Sequence, residues 1–304
     1  MWEYDLEAIN KYVDEKLLRD EMYSNTTKDP TRLNIIKPII PQPTRHIMDL
    51  VFLVAGTTSN ALLVLVILVN FFMRTTTNCY IISLVCSNLI ILIEPLQQMF
   101  RWMFGVYLGI NLDYVFLVTF DTSVLTIVQL NIEAYVVICH RSSPLCAPLL
   151  KISTAVKGVL LIWIMCIVLT CTELHLYEHF MKEIMHDICL SSTAMFIAFP
   201  CFIFVTLECF ILYDLITMRS IDGTCSSEDI ERFVLLAGIT VGFVLFMIPY
   251  RAARSLALVT TFCCDDSTIE VVYAMVKMYT TILPFTCYAI SAKFRRALEV
   301  RRRK

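Results

Sequence analysis

LVFLVAGTTSNALLVLVILVNFFM, residues 50–73, is the stretch of sequence that decides the fold. These 24 residues lie between Asp49 and Arg74 and contain no charged side chain. A helix that crosses the hydrocarbon core of a bilayer needs about 20 mostly apolar residues. The stretch therefore predicts a transmembrane helix.

The composition extends this prediction to the whole chain. Of the 304 residues, 58% are hydrophobic and only 17% are charged, against about a quarter in a typical soluble domain. A chain of this size has too little interior to bury so much apolar surface away from water. The formal net charge of −2 provides no basic field for nucleic acid. We predict an integral membrane protein that contacts the lipid bilayer and has no nucleic-acid partner.

Six further hydrophobic segments follow the first one. They are too long for the strands of a membrane barrel, which would also alternate in polarity. We therefore predict an all-α membrane protein, a seven-transmembrane helix bundle over residues 46–290, preceded by an N-terminal tail at 1–45. The six further segments cover roughly residues 75–93, 108–139, 154–175, 188–213, 233–250 and 268–290, and the sixth continues past Arg251 and Arg254.

Positive charge near the segment ends predicts the orientation, because cytoplasmic loops are enriched in Lys and Arg. The links after segments 1, 3 and 5 and the C-terminal tail hold most of these residues, whereas the other three links hold only Arg101 and Lys182. We expect an extracellular N-terminus and a cytoplasmic C-terminus. The Asn25-Thr26-Thr27 sequon then lies outside and predicts glycosylation of Asn25.

Sequence signatures of enzymes and cofactor sites are absent from the chain. There is no phosphate-binding loop, nucleophile elbow or paired-cysteine zinc motif. His175 and His179 are four residues apart, but two ligands alone make a weak metal site. We expect no catalytic activity, no metal and no cofactor. Cys189 can form a disulfide with Cys263 or Cys264 on the outer side, and this question stays open.

Several positions resemble the rhodopsin-like class of G-protein-coupled receptors. The first segment carries an Asn within GTTSN, residues 56–60, the fourth a central Trp, and the last three segments each a Pro. SAKFRR, residues 291–296, resembles the short amphipathic helix that follows the seventh span of that class. The resemblance implies a cytoplasmic amphipathic helix and basic tail at 291–304. The single positions are Asn60, Trp163, Pro200, Pro249 and Pro284.

Three short motifs narrow the resemblance further. RTTTNCY at 74–80, PYR at 249–251 and ICH at 138–140 are similar to motifs of the receptors for thyrotropin-releasing hormone and ecdysis-triggering hormone. This similarity implies a plasma-membrane receptor for an extracellular ligand, a neuropeptide or peptide hormone. It also implies a heterotrimeric G protein as the cytoplasmic partner.

The departures from the family pattern concern its polar switch residues. The segment-3 motif reads Glu133-Ala134-Tyr135, with Ala where the family has the arginine that meets the G protein. Asn88 replaces an Asp, and Met247 replaces a Trp near Pro249 and Tyr250. We take Asn60, Asn88, Glu133, Ala134, Tyr135, Met247, Pro249 and Pro284 as the switch and coupling set. These changes imply weakened or rewired signalling, or a non-signalling binding protein such as a decoy, scavenger or receptor modifier.

Ionisable residues inside the segments are the candidate ligand contacts, since such residues are costly in a membrane and face the bundle interior. The resemblance places Tyr250 and Arg251 in the outer half of the bundle, with Glu94 and Asp121 as candidate partners of the arginines. Asp49, Asp113 and Glu173 have an interfacial interpretation as well. Ligand contact and internal ion pairing both remain open. The predicted ligand-binding set is Asp113, Leu117, Asp121, Tyr250, Arg251, Arg254, Tyr273 and Lys277.

Lys277 admits one further interpretation. It precedes Pro284 by seven residues, the spacing of the lysine that opsins join to retinal. A retinal site would need a carboxylate counter-ion, with Asp113 or Asp121 as candidates. Met247 stands where an aromatic residue packs on retinal, so a ligand-contacting or ion-paired Lys277 is preferred.

Overall fold

A computed structural model describes residues 42–106, 109–110, 112–144, 146–179, 182–221, 226–259 and 266–302. The predicted glycosylation site Asn25 and the candidate disulfide partners Cys263 and Cys264 lie outside the described residues. For Asp113 and Cys189 the structure describes the helix backbone but not the side chain.

Helices make up all the regular structure of the described ranges. A 3₁₀ turn, Phe71–Met73, follows the first helix, and a π-helical segment, Ala194–Ala198, lies between the seventh and eighth. The helices are α1 Gln42–Val69, α2 Thr76–Ile91, α3 Ile93–Phe104, α4 Leu112–Cys139, α5 Cys146–Leu149, α6 Ile152–His179, α7 Lys182–Thr193, α8 Phe199–Ile221, α9 Ser227–Phe246, α10 Ile248–Val259, α11 Asp266–Ile290 and α12 Ala292–Arg302.

Six stretches of helix are long and apolar enough to cross a membrane, and they confirm the first six predicted segments. The helix α11 covers the seventh predicted segment but is not among the six, because Lys277 and several Thr and Tyr residues lower its hydropathy. The six stretches are Thr44–Val69, Thr76–Phe104, Tyr114–Cys139, Ile152–Leu176, Leu190–Thr217 and Ser227–Leu256.

Prolines mark the interruptions of these long helices. Proline lacks a backbone N–H and its ring clashes with the carbonyl four residues earlier. The helices α2 and α3 meet at Leu92, three residues before Pro95, and α9 and α10 meet at Met247, two residues before Pro249. The π-helical segment ends two residues before Pro200. Each break divides a span into two helical segments.

The outward surface of the spans is apolar. On α6, Leu160, Leu161 and Ile164 are more than half exposed, and on α8 the same holds for Phe199 and Phe202. Only 11% of the most apolar window of the Ile152–Leu176 stretch is buried within the protein. Contiguous apolar surface of this kind is typical of contact with lipid acyl chains.

Asn60 connects three helices through its side-chain amide. Pro284 cannot donate to the carbonyl of Thr280, four residues earlier on α11. The Asn60 Nδ2 group donates to this free Thr280 carbonyl at 2.6 Å and to the Gly56 carbonyl of its own helix at 2.8 Å. Its Oδ1 accepts from Asn88 Nδ2 of α2 at 3.4 Å. A carbonyl that proline leaves unpaired is thereby satisfied from α1.

Gly56 allows this close approach of the helices. A Cβ atom at this position would lie 2.8 Å from the Thr280 hydroxyl oxygen and 2.9 Å from a methyl carbon of Leu92. Thr280 cannot easily turn away, since its hydroxyl donates to the Lys277 carbonyl at 2.7 Å. The contact of α1 with α11 therefore depends on the absence of a side chain at residue 56.

A second set of interhelical hydrogen bonds connects α2, α4 and α6. Trp163 Nε1 of α6 donates to the Ser83 hydroxyl of α2 at 3.1 Å. The same hydroxyl lies 3.3 Å from the hydroxyl of Thr126 on α4. Hydrogen bonds between spans satisfy polar groups that have no access to water.

Side chains of the first residues cap the start of helix α9. The Ser226 hydroxyl accepts from the Glu228 N–H at 3.2 Å, and Glu228 and Asp229 occupy the first turn. These features satisfy free N–H groups and complement the positive end of the helix dipole.

The helix α12 follows α11 after the single residue Ser291. Phe294 and Ala297 are buried, so one face of α12 packs on the bundle. The Ser291 hydroxyl donates to the Glu231 carboxylate of α9 at 2.8 Å, and Lys293 forms an ion pair with Glu228. The region predicted as the C-terminal helix is thus tied to the start of α9.

Gly56→Ala should destabilise the protein by about 1–3 kcal/mol, because the added methyl group overpacks the contact with Thr280 and Leu92. Thermal unfolding of the purified protein in detergent measures the effect. Gly158→Ala is the matched control, since a Cβ atom there meets no atom within 4 Å and alanine favours helix by about 1 kcal/mol. Equal melting temperatures for the two variants would contradict the close approach at Gly56.

Candidate functional site

Buried charges of the upper half of the bundle form the candidate site. We call "upper" the half that contains the first turns of α1 and α4, and "lower" the half that contains α12. Arg251 of α10 donates from Nη2 to the Ser192 hydroxyl of α7 at 2.6 Å and to the Glu173 carboxylate of α6 at 3.3 Å. Ser192 in turn donates to the other oxygen of Glu173 at 3.0 Å. All three side chains thus form one closed network across three helices.

Asp121 of α4 belongs to the same region; the Thr170 hydroxyl of α6 is its neighbouring donor, but neither carboxylate oxygen makes a hydrogen bond of good geometry in the described part of the chain. Its relative exposure is 0%. The charges of Arg251 and Glu173 act on it, with opposite signs. A buried acceptor without a donor is costly, so Asp121 is an available acceptor for a donor group that enters the bundle.

Aromatic side chains lie directly beside this network. The Tyr250 ring contacts Phe116 edge-on with centroids 4.4 Å apart, and it lies 4.7 Å from the Tyr273 ring of α11. Phe120 continues from Phe116 at 5.7 Å, and the Arg251 guanidinium lies 5.9 Å from the Phe120 centroid.

The aromatic row continues toward the lower half of the bundle. Phe120 contacts Phe243 of α9 at 5.3 Å, and Phe243 contacts Tyr279 of α11 at 6.0 Å. Met247, at the break between α9 and α10, has a relative exposure of 0%. A continuous row of rings therefore joins the polar network of the upper half to the proline-linked break of this span.

Lys277 forms a separate charged cluster between α1, α3 and α11. Its Nζ lies 2.6 Å from Asp49 Oδ1 and 2.9 Å from Glu94 Oε2, and all three side chains are almost completely buried. The Tyr273 ring lies 5.0 Å from the same nitrogen. Lys277 thus has two carboxylate partners.

The predicted ligand-binding residues therefore divide into two groups. Tyr250, Arg251 and Asp121 lie around one network, and Leu117 is buried on the same helix as Asp121. Tyr273 touches both Tyr250 and Lys277, which links the two clusters. Arg254 is partly buried and interacts with other residues of the structure. The side chain of Asp113 lies outside the described residues.

One expected partnership is wrong. Glu94 pairs with Lys277 of α11 and not with an arginine. Asp49 and Glu173 are buried, and each forms an ion pair with a cation of another helix. Asp121, one candidate counter-ion of a retinal-linked lysine, does not contact Lys277, whose carboxylate partners are Asp49 and Glu94. No group of three His, Cys, Asp or Glu side chains suited to a metal occurs among the described residues.

In the lower half, the segment-3 motif lines a cleft. Glu133 is buried and its Oε1 accepts from the hydroxyls of Thr76 at 2.7 Å and Thr77 at 2.8 Å. Its Oε2 and the Nη1 of Arg232 are both buried without a hydrogen bond in the described structure. The cleft is small and is lined by Thr77, Leu130, Glu133, Ala134, Arg232, Leu235, Leu236 and Ile239.

Other cations connect the start of α9 to its neighbours. Arg141, in the turn after α4, donates from Nη2 to both carboxylate oxygens of Asp229 at 3.0 Å. The Tyr135 hydroxyl lies 2.9 Å from His140 Nε2, near the same turn. The acidic residues of the first turns of α9 thus link this helix to two neighbours. Asp229 contacts the turn after α4. Glu228 and Glu231 contact Lys293 and Ser291, at the start of α12.

Comparison with known proteins places this geometry in a family. The sequence matches the profile of the family described as "7 transmembrane receptor (rhodopsin family)" over residues 59–286, three quarters of the chain. The chain belongs to this family of receptors. It is thus a multi-pass membrane receptor and not an enzyme, and the resemblance drawn from GTTSN and the prolines is confirmed.

Curated relatives of this receptor are receptors for peptides. It is 31% identical to the pyrokinin-1 receptor of Drosophila melanogaster over 133 residues, 41% of this chain and 30% of that receptor. It is 31% identical to the thyrotropin-releasing hormone receptor of Gallus gallus over 117 residues, 36% and 28% of the two chains. It is 34% identical to neuromedin-U receptor 1 of Homo sapiens over 130 residues, 37% and 30%. The matched region spans less than a third of the length of these relatives.

Several residues of the receptor's clusters were not singled out by the sequence. Ser192 lies in a short polar stretch without a charged residue, so the sequence does not mark it as part of a site. Phe116 and Phe120 are two of many apolar residues in a long hydrophobic segment. Phe116 and Phe120 are four apart on α4, a spacing that places both on one helix face. That spacing is the one feature of the sequence that predicts their contact.

Breaking the buried ion pair should destabilise the receptor strongly. Glu173→Ala removes the ion-pair partner of buried Arg251 and leaves Ser192 as its hydrogen-bond acceptor, which we expect to cost about 3–5 kcal/mol. The double variant Glu173→Leu with Arg251→Met removes both charges and should regain most of the loss. Thermal unfolding in detergent measures both. A double variant as unstable as the single one would show that the pair is not what the Glu173 side chain provides.

Proposed function

We propose that the chain is a plasma-membrane receptor with seven spans, with α11 as the seventh, that binds an extracellular peptide with its upper half. In this orientation the N-terminus is extracellular and Asn25 is available for glycosylation. The Arg251–Glu173–Ser192 network beside buried Asp121 carries the proposal, because it is a buried polar site enclosed by aromatic rings. The similarity to peptide receptors supports the ligand class.

The chemistry of this site suits a polar peptide end. Arg251 can donate to a ligand carbonyl in place of Ser192, and Asp121 can accept from a ligand N–H. A carboxamide has both groups, so an amidated peptide end fits between the two side chains. Tyr250 and Tyr273 supply aromatic surface for a neighbouring side chain of the peptide.

Ligand binding would act on the break between α9 and α10. Arg251 lies four residues beyond Met247 on α10, so a ligand that moves Arg251 also moves the helix that begins at Ile248. The aromatic row from Tyr250 to Phe243 and Tyr279 connects that movement to α9 and α11. A ligand that binds one arrangement more tightly shifts the population toward it.

The lower half supports atypical G-protein coupling. Ala134 leaves a cleft beside Glu133 where the family has an arginine side chain. The bidentate Arg141–Asp229 contact joins the same two spans from a different position, near the surface. Since exposed ion pairs contribute little, this contact is weaker than a buried arginine would be. We infer that coupling is weakened or follows a different set of contacts.

A receptor that binds without activating a G protein is the second candidate. The observation that favours it is the same cleft, because a G protein approaching the lower half would meet Ala134 and no arginine. In this case the chain would act as a decoy, a scavenger or a modifier of another receptor. The two candidates share the peptide site and differ in their cytoplasmic partner.

The helix α12 and the basic residues after it would lie along the cytoplasmic membrane surface. Phe294 and Ala297 face the bundle, and arginines of the same helix include Arg295 and Arg296. Such residues are attracted to anionic lipid headgroups. This arrangement would correspond to the short amphipathic helix expected after the seventh span.

Amidated peptides should activate a G protein through the upper site. Membranes of cells that express the receptor are assayed for nucleotide exchange with a panel of amidated peptides and their free-acid forms. Arg251→Gln combined with Glu173→Gln removes both buried charges together and should raise the effective peptide concentration by at least about tenfold. Arg45→Gln is the control, since Arg45 is a cation of the upper half that is 43% exposed. Equal responses of both variants would contradict the site.

Ala134→Arg should separate the two candidate functions. The new guanidinium can occupy the cleft and pair with the unpaired Glu133 Oε2, so we expect nucleotide exchange to rise several-fold above that of the natural receptor. Ala134→Leu fills the cleft without a charge and is the matched control. Robust exchange by the natural receptor would exclude the non-signalling candidate. If Arg and Leu at this position behave alike, the missing arginine is not what limits coupling.

A further inference from the structure

We propose that α7 and α10 form one structural unit, which turns as a whole when Arg251 is released from Glu173. The bond that couples the two helices joins the Thr193 hydroxyl of α7 to the Ser255 hydroxyl of α10, 2.9 Å apart. The inference concerns the regulation of the Arg251 site, and its role in signalling rests on the proposed function. Thr193 and Ser255 are positioning residues, since they act through the helices and not through contact with the ligand.

Hydrogen bonds from two consecutive residues join α7 to α10. Ser192 accepts from Arg251 at 2.6 Å, and Thr193 donates to Ser255 at 2.9 Å. Arg251 and Ser255 are four residues apart on α10, so both lie on the face that meets α7. Two contacts one turn apart oppose both sliding and rotation of one helix against the other.

The π-helical segment interrupts the first of the two spans directly below this contact. The segment Ala194–Ala198 begins after Thr193, and the Phe199 N–H donates to the carbonyl of Ala194, five residues earlier. Pro200 has no N–H for the carbonyl four residues before it. Helices bend where a π turn or a proline interrupts the hydrogen-bond ladder. The segment is therefore a place where α7 can turn relative to α8.

The break between α9 and α10 interrupts the second span in a similar way. The helix α9 ends at Phe246 and α10 begins at Ile248. Pro249 cannot donate to the carbonyl four residues earlier, and the Arg251 N–H reaches the Met247 carbonyl only at 3.5 Å. The break lies one turn before Arg251, so α10 can turn here and keep its contacts with α7.

Glu173 of α6 holds the two helices in place. Its two carboxylate oxygens accept separately from Arg251 of α10 and from Ser192 of α7. The other contacts of α10 with the bundle include the Tyr250 ring against Phe116. Aromatic pairs accept a range of offset and edge-on geometries, so this contact tolerates a small shift. Glu173 is therefore the anchor of the pair.

A ligand that takes over the Arg251 guanidinium would release both helices from α6 together. The bond between Thr193 and Ser255 does not involve the guanidinium, so it remains in the released state. A displacement of α7 would then be transmitted to α10 and to the break above α9. The upper parts of two spans would thus respond together to one ligand.

The test measures distances between spin labels on the full-length receptor in lipid nanodiscs. Nitroxides are attached through a keto amino acid, which leaves the native cysteines unlabelled. The labelled positions are exposed: Leu190 of α7, Leu256 of α10 and Val168 of α6. The double variant Glu173→Leu with Arg251→Met removes the anchor without leaving a buried charge unpaired. Neither a peptide nor a G protein is needed, so the proposed function can fail while this inference stands.

In this double variant we expect the α6–α10 distance distribution to shift or broaden by at least about 2 Å, while the α7–α10 distribution stays as in the natural receptor. Addition of Thr193→Val removes the donor and keeps the branched shape, and it should broaden the α7–α10 distribution as well. Ser255→Ala serves if Thr193→Val does not fold. Thr217→Val is the control, since the Thr217 hydroxyl donates within its own helix to the Tyr213 carbonyl at 2.8 Å.

Three results would overturn the inference. Equal broadening of both distributions in the double variant would show that α7 and α10 move separately. Two unchanged distributions would show that Glu173 is not the anchor, and Glu173→Gln alone serves for this comparison if the double variant does not fold. An unchanged α7–α10 distribution after Thr193→Val would show that the hydroxyl pair does not couple the helices.

Discussion

The amide of Asn60 is the interaction on which the rest of the bundle depends. Its two hydrogens bind the carbonyls of Gly56 and Thr280, and the second carbonyl is free because Pro284 lacks an N–H. A backbone acceptor at this depth has no water to pair with, so a proline in α11 requires a donor from another helix. Gly56 lets that donor come close. The position of α11 relative to α1, and with it the Lys277 cluster, follows from this contact.

Electrostatics then organises the upper half. The buried cations Lys277 and Arg251 each form ion pairs with carboxylates from other helices. In a medium of low polarity these pairs fix which helix faces meet, since a stranded charge would cost more than most packing contacts provide. Tyr273 touches both regions through Tyr250 and Lys277. The two clusters therefore share one aromatic side chain.

The sequence was sufficient to predict the six apolar spans, because the length and hydropathy of a segment are local properties. It was not sufficient to predict ion-pair partners. Glu94 and Lys277 are 183 positions apart, and their contact depends on how far α3 and α11 are rotated about their own axes. Hydropathy does not record that rotation. Asp49 is similar, since a charge near a segment end is compatible with both an interfacial and a buried position.

The π-helical segment Ala194–Ala198 has a consequence for how this span can vary. A π turn accommodates one residue more than an α-helical turn, and each residue of a helix corresponds to about 100° of rotation. Loss of one residue from this segment would leave the hydropathy of the span almost unchanged. It would nevertheless turn Ser192 by about a quarter of a circle relative to Phe204 and the rest of α8, away from Arg251. The number of residues in this short segment therefore determines the rotation of Ser192 about the helix axis, and with it whether Ser192 can contact Arg251.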